Sequence, residues 1–266
     1  MIRLLVFSII ILLVTLKLNA QESSFSKNVT TFIIEAPELQ TQKKIWLYLP
    51  EDYQTSDKKY PVIYMHDAQN LFDKKSSFAG EWEVDETLDN LKAQVIVVGI
   101  EHGNDKRLDE LTPFPNEKYG GGKGDAYLEF IVETLKPHID KTYRTKTKAK
   151  NTAIFGSSLG GLISFYAVLK YPKVFGKAGV FSPSFWFSDE IYACMEKSDK
   201  VKAKIYFLCG DKESDDMVPD LKKIETLLDR NRCYCLNLNK TVIIEGGQHN
   251  EKLWREGFKN AYLWLF

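Results

Sequence analysis

A chain of 266 residues suits one large domain better than two and can bury a sizeable core. Its 36 Lys and Arg balance its 36 Asp and Glu, and 44% of its residues are hydrophobic. That balance leaves no basic field for nucleic acid and no acidic tail, and the apolar content excludes a disordered chain.

The first twenty residues stand apart. Arg3 supplies one positive charge, Leu4 to Leu16 is an apolar run broken only by Ser8 and Thr15, and small Ala20 precedes Gln21. This is the pattern of a secretory signal peptide over residues 1–20, cleaved after Ala20, with residues 21–266 as a single domain. The run is short for a membrane span, which takes about 20 apolar residues, so none is expected to persist after processing. The expected location is periplasmic or secreted. No cysteine lies near the cleavage point for lipid attachment. Cys194, Cys209, Cys233 and Cys235 lie in the second half of the chain, where export permits disulfides without fixing any. Cys233 and Cys235 alone lack the second ligand pair of a zinc site, and no metal or cofactor is expected.

Beyond residue 30, apolar runs rich in β-branched and aromatic residues predict strands at 31–36, 43–50, 61–67, 94–100, 151–157, 178–182, 203–209 and 240–246. The first two alternate, as half-exposed antiparallel strands do. The next six are nearly continuous apolar blocks, as in parallel strands buried on both faces. Helical patterns fall between them at 81–91, 124–140, 159–171 and 215–231, and a last one closes the chain from His249. In the second of these, Asp125 is placed as the N-cap, and Leu128, Ile131, Val132 and Leu135 share a face. The alternation predicts an α/β fold with a mostly parallel eight-stranded sheet and helices on both faces. The Pro- and Gly-rich stretch 112–125 lacks periodicity and reads as a surface loop or a lid.

One motif carries chemistry. "IFGSSLGG" (154–161) holds Gly156-x-Ser158-x-Gly160 at the junction of a buried strand and a helix. There the two glycines let the strand and helix backbones approach, and the turn presents Ser158 at the carboxyl edge of the sheet. The neighbouring Ser157 is one place out of register. The backbone N–H of Leu159, at the start of the helix, can face an oxyanion. A serine hydroxyl needs a base. Of His66, His102, His138 and His249, only His249 lies between the last strand and the last helix, in "EGGQHNEKLWR". An acid to orient it belongs after the seventh strand, where Asp211, Glu213, Asp215 and Asp216 are available. A second oxyanion donor belongs after the third strand, at Ala68 or Gln69 of "YMHDAQNLFD", with His66 and Asp67 shaping the turn.

Together, "YPVIYMHDAQNLFD", "IFGSSLGGLISFYAVLKYPKVFGKAGVFSPSFWF", "GDKE" and "GGQHNEKLWR" resemble the esterase branch of the α/β-hydrolases over about residues 30 to 264. That branch holds enterochelin, feruloyl and acetylxylan esterases, S-formylglutathione hydrolases and mycolyltransferase antigens. The resemblance implies an α/β-hydrolase fold and a serine esterase with Ser158 as nucleophile, His249 as base and Glu213 as acid, Asp216 standing in reserve. It assigns Gln69 and Leu159 to the oxyanion hole, although Ala68 stands where some members carry glycine. Trp186 of "FSPSFWF" and Asp67 are the expected substrate contacts, and the substrate is a small-molecule, carbohydrate-linked or siderophore ester. Acyl transfer to an alcohol on the same fold, and a non-catalytic binding module, are the alternatives.

Overall fold

A computed structural model describes residues 23–231 and 238–266. The expected signal peptide, Cys233 and Cys235 lie outside the described residues. Among the described residues, no helix is long and apolar enough to cross a membrane.

The chain runs β1 (Val29–Ala36), β2 (Thr41–Tyr48), β3 (Val62–His66), α1 (Val84–Asn90), β4 (Ile96–Ile100) and α2 (Arg107–Leu111). A small hairpin follows, β5 (Pro115–Asn116) with β6 (Gly120–Gly121), and then α3 (Gly124–Glu129) and α4 (Lys136–Thr142). The second half is β7 (Thr152–Ser157), α5 (Leu159–Lys170), β8 (Lys177–Phe181), α6 (Glu190–Lys197), β9 (Lys204–Gly210), α7 (Met217–Arg230), β10 (Asn239–Ile244) and α8 (Glu251–Leu265). The main sheet has eight strands in the order β1-β2-β4-β3-β7-β8-β9-β10. β2 runs antiparallel to β1 and β4, and every other neighbouring pair is parallel. This is the mostly parallel eight-stranded α/β sheet that the alternation of strands and helices predicts.

Strand periodicity sets the two core layers. Val62 and Tyr64 of β3 face the layer filled by α3, α4, α5 and α7, with Leu128, Phe165 and Ile224 in it. Ile63 and Met65 point the other way, onto α1 and α8, with Leu88, Trp254 and Phe258. β3, β4 and β7 are buried along their whole length, as continuous apolar runs require. β10 departs from that expectation. It is the sheet's last strand, pairs only with β9, and leaves Ile243 and Ile244 exposed.

One local expectation is corrected and two are refined. Asp125 is not the N-cap of its helix. Lys123 holds that position without a side-chain cap bond, and Asp125 sits in the first turn. There its carboxylate suits the positive end of the helix dipole, accepts from Tyr166 Oη at 2.9 Å and pairs with Lys170 at 2.5 Å, tying α3 to α5. The predicted 124–140 helix contains a π segment, Phe130–Leu135, just before Pro137, whose missing N–H removes an intrahelical bond. The 112–125 stretch is tethered: Asn116 Nδ2 donates to Phe187 O at 2.6 Å, and Gly122 N–H and Gly124 N–H are bound by Thr112. The short helices α2 and α6 lie outside the predicted elements.

Candidate active site

The carboxyl edge of the parallel strands carries the site. Ser158 links β7 to α5 with φ 58° and ψ −121°, a conformation costly for a serine. It is held from both sides: Ser158 N–H donates to Phe181 O at 3.0 Å, and Ser158 O accepts from Leu162 N–H at 3.0 Å and Ser184 N–H at 3.1 Å. Gly156 is obligatory, since a Cβ there would lie 2.6 Å from Gly160 C. Gly160 is not: its added Cβ would meet His66 Cβ at 3.4 Å, an ordinary contact. The second close approach is made instead by Gly161, whose Cβ would lie 2.7 Å from Phe181 O. Ser157 is the last residue of β7, so the turn exposes Ser158 and not its neighbour.

His249 lies between β10 and α8, with Asn250 capping α8 through its side-chain oxygen at 3.1 Å from Leu253 N. Two ties hold this loop to the one after β9: Gly246 N–H to Asp211 Oδ1 at 2.7 Å, and Lys212 N–H to Gly247 O at 2.9 Å. His249 Nδ1 lies 2.7 Å from Glu213 Oε2. The Glu213 side chain is 1% exposed and that of His249 36%, so the acid is sealed beneath a ring that reaches solvent. Asp215 and Asp216 are exposed, and Asp211 is occupied with Gly246. Ser158 Oγ lies 3.2 Å from Ser184 Oγ, and among the described residues no hydrogen bond joins it to His249.

The turn after β3 faces Ser158 from the other side. Asp67, not Ala68, takes the left-handed conformation (φ 56°), and Ala68 begins a short 3-10 turn over Ala68–Asn70 with its methyl buried. Alanine therefore replaces glycine here without strain. The first bond of that turn runs from Asn70 N–H to Asp67 O at 2.9 Å, which leaves the N–H of Gln69 outside the turn's own bonding. Leu159 N–H, at the start of α5, likewise has no intrahelical acceptor. The Gln69 amide binds the backbone of His102 twice, at 3.1 and 3.2 Å, and so joins the loops after β3 and β4.

Asp67 is engaged rather than free. Its two carboxylate oxygens receive Arg107 Nε at 2.7 Å and Nη2 at 2.8 Å. Burial pushes the Asp67 carboxyl up, but Arg107, His102 and His66 outweigh it and hold the group below the usual carboxylate range. His66 is buried, with Nδ1 2.7 Å from Tyr127 Oη; burial, against the pull of Asp67, lowers it to about 4 and keeps it neutral. His138 is exposed on α4 against Phe32.

A cavity of about 770 Å³ joins these parts, lined by Ser158, His249, Asp67, Gln69, Arg107, Trp82 and Trp254 among others. A larger one of about 900 Å³ opens next to it around the Lys43–Glu110 ion pair, and shares His102 and Asn104 with it. Trp186 is not among the residues lining the Ser158 cavity. Phe185 and Phe187 are buried on either side of it, while Trp186 is 52% exposed and packs edge-on against exposed Tyr119 at 6.0 Å. Four residues that the sequence reading passed over belong to this region: Arg107, Ser182, Ser184 and Trp254. The two serines and the tryptophan lie inside the quoted motifs, but only the long-range contacts give them partners.

The family described as "Putative esterase" matches residues 36–265. The chain is 29% identical over 242 residues to the uncharacterized protein YbbA of Bacillus subtilis, covering 84% of this chain and 92% of that one. It is 27% identical over 230 residues to an endo-1,4-beta-xylanase/feruloyl esterase of Xylanibacter ruminicola, covering 83% of this chain and 29% of that longer protein. Among solved structures, the BES protein from Bacillus cereus shares the fold with a TM-score of 0.71 at 18% identity, over 90% of this chain and 95% of that one.

Proposed function

The chain belongs to that esterase family and is a carboxylic ester hydrolase, and from this premise we propose that it works through Ser158, His249 and Glu213 by way of an acyl-enzyme. The 2.7 Å bond between His249 and buried Glu213, at the cavity that also holds Ser158, carries this reading. Glu213 accepts a hydrogen bond from His249 Nδ1–H and so holds the tautomer that leaves Nε2 as the base. When an ester enters, Ser158 Oγ turns from Ser184 to His249, gives up its proton and attacks the carbonyl carbon. The backbone N–H groups of Gln69 and Leu159 hold the tetrahedral oxyanion. His249 returns the proton to the leaving alcohol, and then activates the water that releases the acid. Labelling of Ser158 by a fluorophosphonate probe, with hydrolysis across a panel of esters, tests the reading. An unlabelled protein without ester hydrolysis would leave a binding module, and products formed only with added alcohols would indicate acyl transfer.

The proposed substrate carries a ring, sugar or phenolic, on the Trp186 side. Trp186 stands two residues from Ser184, whose hydroxyl touches Ser158, and its exposed face pairs with Tyr119 from the opposite loop. Asp67 lines the same cavity and anchors Arg107 there through two hydrogen bonds. Stacking on an aromatic contributes about 0.5–1.5 kcal/mol beyond area burial, so Trp186→Ala should raise KM for a bulky aromatic or sugar ester roughly tenfold. Turnover of a small acetyl ester should be nearly unchanged. Equal losses on both esters, with a lowered melting temperature, would make Trp186 structural.

The same reading includes export, with residues 1–20 removed. N-terminal sequencing of the processed protein should begin at Gln21, and a protein still beginning at Met1 would refute it.

A further inference from the structure

Glu213 has a second side, which the reaction does not touch. Its Oε2 faces His249, while its Oε1 receives two donors: Gly210 N–H at 2.5 Å and Ser182 Oγ at 2.7 Å. The Ser182 hydroxyl in turn accepts from the indole Nε1 of Trp254 at 2.8 Å. The direction of this chain is fixed by chemistry. An indole N–H only donates, so Ser182 Oγ must accept from Trp254 and send its own proton to the acceptor Glu213.

Ser182 follows β8, Glu213 follows β9 and Trp254 lies in α8, so three separate elements meet at one carboxylate. Ser182 is fully buried and adopts φ 43°, the left-handed region that favours glycine. A serine held there against its backbone preference points to a need for its side chain. Trp254 has a double contact: its ring meets His249 edge to face, with centroids 5.0 Å apart and planes at 89°, while its N–H reaches Ser182. One indole thus bears on both the base and, through Ser182, the acid.

We infer that Ser182 and Trp254 are positioning residues, a one-way hydrogen-bond relay that fixes the plane of the Glu213 carboxylate so that Oε2 stays aimed at His249 Nδ1. The inference rests on the reading of Ser158, His249 and Glu213 as the reacting set. Without Ser182 Oγ, Glu213 keeps a single donor at Oε1 and can swing about it, and Trp254 Nε1 loses its buried acceptor. Ser182 is fully buried and does not line the cavity, so its loss falls on kcat and not on KM, whereas Trp254 also lines the cavity and is read by kcat alone.

The test uses the full-length protein processed as in its host, a small acetyl ester, and the variants Ser182→Ala, Trp254→Phe and the two together. Trp254→Phe keeps an aromatic ring at this position and removes the N–H together with the smaller ring that carries it. Ser182→Ala should lower kcat roughly 10- to 100-fold, the range for losing one hydrogen bond to a charged group, with KM within about twofold, and Trp254→Phe, which loses a bond to a neutral hydroxyl, should lower kcat roughly 2- to 10-fold. Because both act through one relay, the double variant should be no slower than the slower single. Wild-type kcat in Ser182→Ala, or losses that multiply in the double variant, would overturn the inference. If Ser182→Ala fails to fold, wild-type kcat in Trp254→Phe overturns it equally. An inactive wild-type protein that fluorophosphonate does not label would instead refute the underlying esterase mechanism, so the two failures are distinct.

Discussion

Ser158→Ala should abolish ester hydrolysis while leaving a folded protein. Removing the nucleophile of a serine hydrolase costs on the order of 10⁴–10⁶ in kcat, the residue of catalysis coming from the oxyanion hole and binding. Folding should survive, because the hydroxyl makes only the 3.2 Å contact with Ser184 Oγ. The turn itself is built from backbone: Phe181 O, Leu162 N–H and Ser184 N–H hold the peptide of residue 158 whichever side chain it bears. Alanine at φ 58° is no worse placed than serine. A melting temperature within a few degrees of wild type, with no fluorophosphonate labelling, is the expected pair of measurements. Ser157→Ala is the control, since Ser157 belongs to β7 and its backbone pairs with β8. Loss of activity in Ser157→Ala, with activity kept in Ser158→Ala, would move the nucleophile by one residue.

What could be read in advance has a physical pattern. Five of the six apolar blocks, β3, β4, β7, β8 and β9, are legible because a parallel strand covered on both faces excludes polar residues, whereas β10 is apolar in sequence and half-exposed at the sheet's edge. The elbow is legible because a turn this tight demands glycine at 156, a constraint written in a single residue. His249 is legible by elimination among four histidines, given the order of elements. The acid is harder. Asp211, Glu213, Asp215 and Asp216 are chemically alike in sequence, and Glu213 is set apart only in the fold, by its bond to His249 and by the Gly210 N–H and Ser182 Oγ that converge on it. The partner of Asp67 is hidden for a related reason. A carboxylate beside a predicted oxyanion turn looks unpaired in the sequence until Arg107, forty residues later, is found on both its oxygens. Trp254 and Ser182 are separated by 72 positions and belong to no local period, so nothing short of the fold brings them together. Residues whose role lies in their own backbone conformation or burial leave a trace in the sequence. Residues whose role is a partner far along the chain do not.

Glu213→Gln should be nearly as damaging as loss of the nucleophile, and the reason lies on the side of the carboxylate away from His249. Two donors, Gly210 N–H and Ser182 O–H, converge on the Oε1 position. A glutamine there must offer its carbonyl oxygen to them, because its NH₂ group would face two hydrogens. That choice turns the NH₂ toward His249 Nδ1, in the place of the Oε2 that now lies 2.7 Å away. An amide donor makes Nδ1 the acceptor, and the imidazole proton moves to Nε2. His249 then presents a hydrogen, not a lone pair, to Ser158, and it cannot act as the base. Enforcing the wrong tautomer in this way costs roughly 10³–10⁴ in kcat in a triad hydrolase. Glu213→Ala should retain more activity than Glu213→Gln, since it removes the acceptor without installing a donor. Asp216→Asn should leave kcat within about twofold, because its carboxylate is exposed at the start of α7 and a surface carboxylate without a buried partner contributes little. Steady-state kinetics on the three variants decide the matter. A crippled Asp216→Asn beside an active Glu213→Gln would transfer the acid to Asp216, while equal losses in Glu213→Gln and Glu213→Ala would remove the tautomer argument and leave only the lost charge.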